Sequence, residues 1–265
     1  MWSRSIIKSN AKEALGGKYF YVLAVCAIVA VINYIPQFLP LNANIDYTGV
    51  EAQSALYYEK ILEQVFLSLP LFFITTLYGI FIGYPLAIGS ARFFVRNRFG
   101  STGIRNVFSG FKDGWGSSTA AMFVTELITI LWSLLLIIPG IVKSLEYCMV
   151  PYILSDNPHL PGGRAREISR AMTEGEKGSI FVFVLSFAGW FILAAIAGAI
   201  VVSAGGKTVG SILIYVGCLF VAPYFEASFT ELYIFLRDRA IRNNMASPYE
   251  LGLAADPQNF SGGAV

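Results

Sequence analysis

Charged residues are scarce in this sequence. Asp, Glu, Lys and Arg make up 14% of the 265 residues, whereas a soluble domain usually carries about 25%. Hydrophobic residues make up 55%. A water-soluble core cannot bury that much apolar surface. The composition therefore excludes an ordinary soluble domain and favours a membrane protein.

Cysteine and histidine are too few for the sites that they usually form. Cys26, Cys148 and Cys218 all lie in apolar stretches, and an odd number without a C-x-x-C pair argues against a disulfide framework. We interpret them as small apolar packing residues. His159 is the single histidine, and no ligand-like spacing surrounds it. We therefore expect no metal site and no cofactor.

The motifs of common enzyme classes are also missing. The sequence contains no H-E-x-x-H, no G-x-S-x-G and no G-x-x-x-x-G-K-[ST] motif. Its basic residues are spread over four segments rather than gathered in one patch, which argues against nucleic-acid binding. We expect a non-enzymatic protein that has the lipid bilayer as its partner. The sequence does not define a protein partner or a small-molecule substrate.

Long apolar runs are abundant. A helix needs about 20 mostly apolar residues to cross a bilayer. We predict spans near 19–41, 65–95, 119–138, 141–154, 179–204 and 209–236. The third run should stop at Pro139-Gly140, which breaks or turns a helix. The fourth run is short, so a re-entrant segment is its alternative. A span is preferred because the segments on both sides of that hairpin look cytoplasmic.

Basic residues alternate with these runs. Lysines and arginines precede the first span, separate the second from the third and the fourth from the fifth, and follow the sixth. The loop 42–64 is acidic instead. Under the positive-inside rule, this pattern places both termini in the cytoplasm. Residues 243–265 should form a flexible cytoplasmic tail, because the sequence beyond Pro248 is polar and glycine-rich.

The three basic segments that open the hairpins resemble one another. Each has an amphipathic stretch, a G-x-K triplet and an aromatic residue; the triplet lysines are Lys18, Lys112 and Lys177. The apolar faces are formed by Ile7, Ala11, Ala14 and Leu15, by Ile104, Val107, Phe108 and Phe111, and by Ala165, Ile168 and Met172. We predict interfacial helices with their apolar faces in lipid and the three lysines at headgroups. The glycine should end each helix.

These segments suggest three parallel repeats, each made of an interfacial helix, an outward span and a kinked return span. The alternative is that any inward loop meets the same interfacial demands. Small residues add a packing prediction. Gly79, Gly83 and Ala87 in the second span, and Ala194 with Gly198 in the fifth, lie four residues apart. This spacing allows helix backbones to approach closely.

Five charged residues within the predicted spans are candidates for a functional site, because a charge there costs about 2.5–3.5 kcal/mol on insertion scales. They are Glu126, Lys143, Glu146, Glu226 and Glu231. In a structural interpretation, Lys143 and Glu146 pair at i, i+3, and Glu126 or Glu226 satisfies Lys143 from another helix. In a functional interpretation, these residues line a polar cavity for an ion or small solute near the broken third and fourth spans.

Three long stretches resemble a known bacterial family. They read LWSLLLIIPGIVKSLEYCMVPYILSDNP, ISRAMTEGEKGSIFVFVLSFAGW and VAPYFEASFTELY, and the N-terminal AKEALGGKYF is similar too. The family is catalogued as domain of unknown function 975, and the resemblance extends to about Arg242. It implies a multi-pass bacterial membrane protein. It supplies no activity and no catalytic residues.

We therefore expect an all-α polytopic transmembrane bundle that handles a small solute or lipid as a transporter or permease does. The alternative is a membrane interaction or scaffold protein, of the stress-response or immunity type, with a sealed core. A water-accessible cavity lined by Glu126, Lys143, Glu146 or Glu226 would favour the first function. Paired charges in a sealed core would favour the second.

Overall fold

The computed structural model of the chain is built from helices. It describes residues 2–38, 55–100, 102–112 and 114–253, and within them there is no β-strand. The α-helices are α1 (Arg4–Leu15), α2 (Tyr19–Tyr34), α3 (Ala55–Tyr78), α4 (Tyr84–Phe99), α5 (Trp115–Leu135), α6 (Ile137–Tyr147), α7 (Val150–Asp156), α8 (Gly162–Thr173), α9 (Lys177–Ser203) and α10 (Lys207–Arg242). Ile35–Phe38 and Ile104–Phe111 are 3-10 helices, and a π-helical turn, Gly79–Gly83, joins α3 to α4.

Five helical segments are long and apolar enough to cross a membrane: Ala55–Phe99, Trp115–Leu135, Ile137–Asp156, Lys177–Ser203 and Val209–Arg242. A sixth candidate combines α1 with α2, which are bent by 96° at a short break. These segments confirm the predicted helical membrane bundle with about six candidate spans. The end of the predicted first span, at 39–41, lies outside the described residues.

Burial is concentrated at one end of the bundle. α3 buries no residue, whereas its continuation α4 buries Leu86, Phe93 and Val95. The buried side chains of α9 lie in its first three turns and end at Phe187, apart from Gly198. We call the densely buried region the packed end. It comprises α1, α4, the 3-10 helix Ile104–Phe111, α7, α8, the first turns of α5 and α9, and residues 227–242 of α10. The remaining helix lengths expose apolar side chains, which need lipid as their solvent.

The basic segments converge at the packed end. Trp2 Nε1 donates a 3.0 Å hydrogen bond to one Glu176 oxygen, and Arg239 Nη1 lies 2.5 Å from the other. Arg98, near the end of α4, forms an ion pair with Glu231 of α10. The N-terminus, the end of α4, the α8–α9 connection and the end of α10 therefore share one side of the bundle. This is the grouping that the alternation of charge predicts.

The apolar faces of α1 and α8 are covered by protein. Ile7, Ala11 and Leu15 of α1 are buried against α10 and its neighbours, and the predicted stripe of α8 is also fully buried. The prediction that these faces enter lipid is wrong. An apolar stripe specifies only that water is excluded, and here the adjoining helices exclude it.

The second amphipathic segment is a 3-10 helix rather than an α-helix. Its side chains repeat every three residues, so Val107 is buried while Phe108 is 39% exposed. The predicted α-helical face, which included Phe108, is therefore wrong. Gly110 lies so close to α4 that a Cβ there would come 2.0 Å from the Pro85 carbonyl oxygen.

A glycine with positive φ joins each short helix to the long helix that follows it. Gly17, Gly114 and Gly175 have φ values of 71°, 75° and 74°, a conformation that favours glycine. In the first and third segments this glycine precedes the triplet lysine, and in the second it follows Lys112. The order of short helix, glycine turn and long helix thus occurs three times, which fits the repeat hypothesis. The triplet glycine of the second segment, Gly110, lies within its 3-10 helix and does not end it, contrary to the prediction.

The hairpin between α5 and α6 turns on a single residue. Leu136 is extended, with φ −157° and ψ 141°. The break predicted at Pro139-Gly140 is therefore misplaced. Both residues lie in the first turn of α6, where proline costs little because the first amides of a helix have no intrahelical partner. Gly140 lets the two arms meet, since a Cβ there would lie 2.2 Å from Ser133 Oγ.

The close helix packing predicted from small residues is found at one of two positions. Gly198 packs against α10 so closely that a Cβ would lie 2.6 Å from the Gly210 carbonyl oxygen, which confirms close packing at that position. Gly79 has no atom within 4 Å of its Cβ position and lies in the π-helical turn instead.

The predicted tail is partly wrong, because Leu251 and Leu253 are buried and the chain folds back over α7 as far as residue 253. Residues 254–265 lie outside the described part.

Candidate functional site

Glu146 is the centre of a buried ionic cluster. Its side chain is 3% exposed, and its two oxygens accept 2.9 Å hydrogen bonds from Lys143 and Lys177. Arg170 Nε lies 3.5 Å from the carboxylate. The predicted Lys143–Glu146 pair is confirmed, whereas the partner of Lys143 is neither Glu126 nor Glu226. The cluster ties α6 to α8 and α9, and we interpret it as structural.

The triplet lysines have different surroundings. Lys177 is engaged by Glu146, although it was expected at lipid headgroups. Lys112 is exposed, and Lys18 is partly exposed at the start of α2. Lipid contact therefore stays a prediction for Lys18 and Lys112, and Lys177 has a protein partner.

The structure reveals a second buried cluster that the sequence interpretation missed. Asp156 Oδ2 accepts a 2.6 Å hydrogen bond from the Tyr233 hydroxyl and lies 3.4 Å from Arg237 Nη1. Tyr233 and Arg237 are four residues apart and share one face of α10. The sequence offers one signal for this cluster: a tyrosine and an arginine lie four residues apart on a helix that continues past its apolar run.

Glu126 and Glu231 lie apart from these clusters. Glu126 is exposed on α5. Glu231 is buried and forms an ion pair with Arg98 of α4. Neither residue lines the cavity described next.

A cavity of about 670 Å³ lies between α2, α4, α9 and α10. Its walls are mainly apolar, and Glu226 is the one charged side chain among the described residues that line it. The volume is in the range of sites that hold small molecules. The residues that define its shape are Val29, Ala30, Phe94, Phe191, Leu219 and Ala222. This cavity is not the one predicted near the third and fourth spans, where Lys143 and Glu146 pair with each other.

Glu226, on α10, lies at one end of this cavity. Ser90 Oγ is buried and, among the described residues, has no hydrogen-bond partner. Tyr34 and Tyr215, whose rings are 5.0 Å apart, lie at the opposite end. Glu226 and Tyr215 are separated by about 16 Å along α10, at 1.5 Å per residue. The cavity is thus elongated, with a polar head and apolar walls.

The comparisons with known proteins identify a family. A family model described as "Protein of unknown function (DUF975)" matches residues 41–240. The match includes α3 to α9 and most of α10, and therefore Glu226 and both buried clusters. No curated protein and no solved structure matches the chain.

Proposed function

We propose that this chain, which belongs to the family of proteins of unknown function DUF975, handles a small lipophilic solute or lipid as a transporter or permease does. The proposed role is non-enzymatic. The observation that carries the proposal is the elongated cavity headed by Glu226. The helix surfaces around it are apolar and exposed, so a lipophilic ligand could enter from the membrane without crossing water.

The charge in the cavity indicates the ligand's head group. A carboxylate at membrane depth is costly and marks a functional position by default. Among the described residues, no cationic side chain lines the cavity with Glu226. An amphiphile with an alkyl tail and an amine head would fill the apolar length and supply the missing positive charge. Ser90 offers a second polar contact for the same head group.

The orientation belongs to the same proposal. The packed end carries the basic segments, and basic residues are retained on the cytoplasmic side of membrane proteins. We therefore place the packed end and both termini in the cytoplasm of a bacterial cell, with the cavity within the membrane.

A second candidate function is a membrane interaction or scaffold protein. The observation that favours it is the pairing of charges at the packed end, where Glu146, Asp156 and Glu176 are all engaged by cationic side chains. Such pairing is what a sealed core would show. The cavity at Glu226 is the feature that this alternative leaves without a role.

Binding of simple amphiphiles tests the proposal. The full chain in lipid nanodiscs is titrated with dodecylamine, dodecanol and dodecanoate, which share one alkyl chain and differ in the head group. We expect saturable amine binding that Glu226→Gln weakens. The matched control is Glu126→Gln, which makes the same change at an exposed carboxylate, and it should bind the amine as the native chain does.

A blocked cavity provides the second control. Ala30→Trp places an indole in the cavity and should abolish binding of the amine and the alcohol alike. Unchanged amine binding to this variant, or to Glu226→Gln, would refute the cavity as the site. Absence of saturable binding by any of the three probes would leave the scaffold function as the better candidate.

A further inference from the structure

We infer that α5 and α6 form a re-entrant hairpin, which enters the leaflet beside the packed end and turns back within the bilayer. Its partner is the acyl-chain layer of that leaflet. The α5–α6 hairpin is residues 126–145, the part of the two helices that extends beyond the packed end. The inference does not depend on the proposed function, because neither helix lines the cavity.

The tip of the hairpin is wholly apolar. Its five successive residues Leu134, Leu135, Leu136, Ile137 and Ile138 are 66–77% exposed. No polar or charged side chain occurs between Ser133 and Lys143. A loop that emerges into water on the far side would expose all five large side chains to it, which soluble surfaces avoid. Hydrocarbon is the solvent that suits this tip.

The position of α8 fixes the base of the hairpin at the membrane boundary. Gly162 of α8 approaches α5 so closely that a Cβ would lie 2.6 Å from Ala121 Cβ. Arg170, also on α8, is 67% exposed beside Glu146 of α6. A charged helix with exposed arginine side chains belongs in water or at headgroups. The levels of Ala121 and Glu146 are therefore at or outside the hydrocarbon.

The arms beyond this boundary are too short to cross. From Ala121 to the end of α5 is about 21 Å, and from Glu146 to the start of α6 is about 14 Å, at 1.5 Å per residue. The hydrocarbon core is about 30 Å thick. The tip therefore reaches about the middle of the bilayer.

The hairpin of α9 and α10 provides an internal comparison. From Lys177, which bonds Glu146 at the base of the α5–α6 hairpin, to Ser203 is about 39 Å, and from Lys207 to Arg239, which pairs with Glu176, is about 48 Å, at 1.5 Å per residue. Its turn contains Gly205, Gly206 and Lys207, which suit a water boundary. One hairpin thus has the length and the polar turn of a crossing pair, and the α5–α6 hairpin has neither.

The backbone of the tight turn suits hydrocarbon. The Leu136 amide donates to the Trp132 carbonyl at 3.1 Å, and the Leu136 carbonyl accepts from the Gly140 amide at 3.2 Å. Pro139 has no amide hydrogen to satisfy. The nearest hydroxyl, Ser133 Oγ, donates to the Thr129 carbonyl at 2.8 Å. This pairing reduces the cost of placing the turn in hydrocarbon. The Ile137 and Ile138 amides, as the first of α6, have no intrahelical partner.

Thiol labelling from both sides tests the hairpin. In the full chain with Cys26, Cys148 and Cys218 replaced by alanine, Leu136→Cys marks the tip and Ala204→Cys marks the α9–α10 turn. Glu174→Cys, at an exposed position of the packed end, marks the other face. Right-side-out and inside-out vesicles are treated with a membrane-impermeant maleimide.

We expect Ala204→Cys and Glu174→Cys to react from opposite sides. Leu136→Cys should not be labelled from either side of intact vesicles, and it should react fully once the membrane is dissolved in detergent. A bimane attached at Leu136→Cys should be quenched more by a nitroxide on lipid acyl chains than by one on headgroups. Labelling of Leu136→Cys from the same side as Ala204→Cys would overturn the inference and establish a full span. Efficient cross-linking between two copies through Leu136→Cys would also overturn it, because a second copy would then cover the tip.

Discussion

Arg237 and Asp156 form an ion pair that is closed off from solvent. Arg237 Nη1 lies 3.4 Å from Asp156 Oδ2, and the two side chains are 1% and 6% exposed. Asp156 lies at the end of α7 and Arg237 near the end of α10, so the pair joins two helices that are far apart in sequence. The Tyr233 hydroxyl donates to the same carboxylate oxygen. Each charge depends on the other, because an unpaired buried charge is costly.

Removing one member of this pair should be strongly destabilising. Arg237→Met leaves the buried Asp156 without its ion-pair partner, and we expect a loss of about 3–5 kcal/mol in the free energy of unfolding. The measurement is SDS-induced unfolding in mixed micelles, followed by tryptophan fluorescence. The double variant with Asp156→Asn should recover most of the loss. If it were as unstable as Arg237→Met, packing of the arginine stem rather than pairing would explain the effect.

The Glu146 cluster should show that burial decides the value of an ion pair. Glu146→Ala removes a buried carboxylate that two lysines share, and a loss of about 3–5 kcal/mol is expected. Arg170→Ala removes a partner that is 67% exposed, and the expected loss is about 0–1 kcal/mol. The same unfolding assay compares the two variants. Equal effects would contradict the central place of Glu146.

Two glycines provide a matched test of helix packing. A Cβ at Gly89 would lie 1.7 Å from the Val107 carbonyl oxygen, whereas nothing lies within 4 Å of that position at Gly79. Gly89→Ala must push the 3-10 helix from α4, and overpacking of this kind costs about 1–3 kcal/mol. Gly79→Ala should be neutral or stabilise by up to about 1 kcal/mol. Thermal unfolding in detergent measures both variants, and a neutral Gly89→Ala would refute the close contact.

The segment that follows α10 should loosen in acid. Arg164 and the Ser247 amide bond the Glu250 carboxylate, and this lowers the pKa of Glu250 from 4.5 to about 2. Because the folded-state pKa is lowered, the stabilisation is fully present above pH 4.5 and is lost as the pH falls towards 2. Limited proteolysis after Tyr249 with an acid-stable protease, at pH values across this window, measures the opening. Glu250→Gln should be cleaved readily at every pH, and a native chain without pH dependence would contradict the assignment.

Short-range charge patterns and long-range charge alternation could both be predicted from the sequence. The i, i+3 spacing of Lys143 and Glu146 fixes their pairing, and the alternating basic segments do share one end of the bundle. The surroundings of apolar stripes could not be predicted. Ile7 and Ile168 have the same pattern whether lipid or protein covers them, and only the packing of α9 and α10 decides it.

The cavity was beyond the sequence for a similar reason. Glu226 was identifiable as an unusual charge within an apolar run. Its neighbours Ala30, Ser90 and Phe191 come from three other helices, and no local pattern links them. The Asp156–Tyr233–Arg237 cluster was missed because Asp156 and Arg237 lie just beyond the ends of predicted spans. Charged residues are expected at such positions and do not indicate a buried cluster.

α3 buries no residue, and it joins α4 through the π-helical turn Gly79–Gly83. With little packing to fix its tilt, α3 can adjust to the thickness of the surrounding bilayer. Insertions of this type are common places for a helix to bend. In a thinner membrane α3 should tilt further from the bilayer normal by bending at this turn, while α4 keeps its orientation in the packed end.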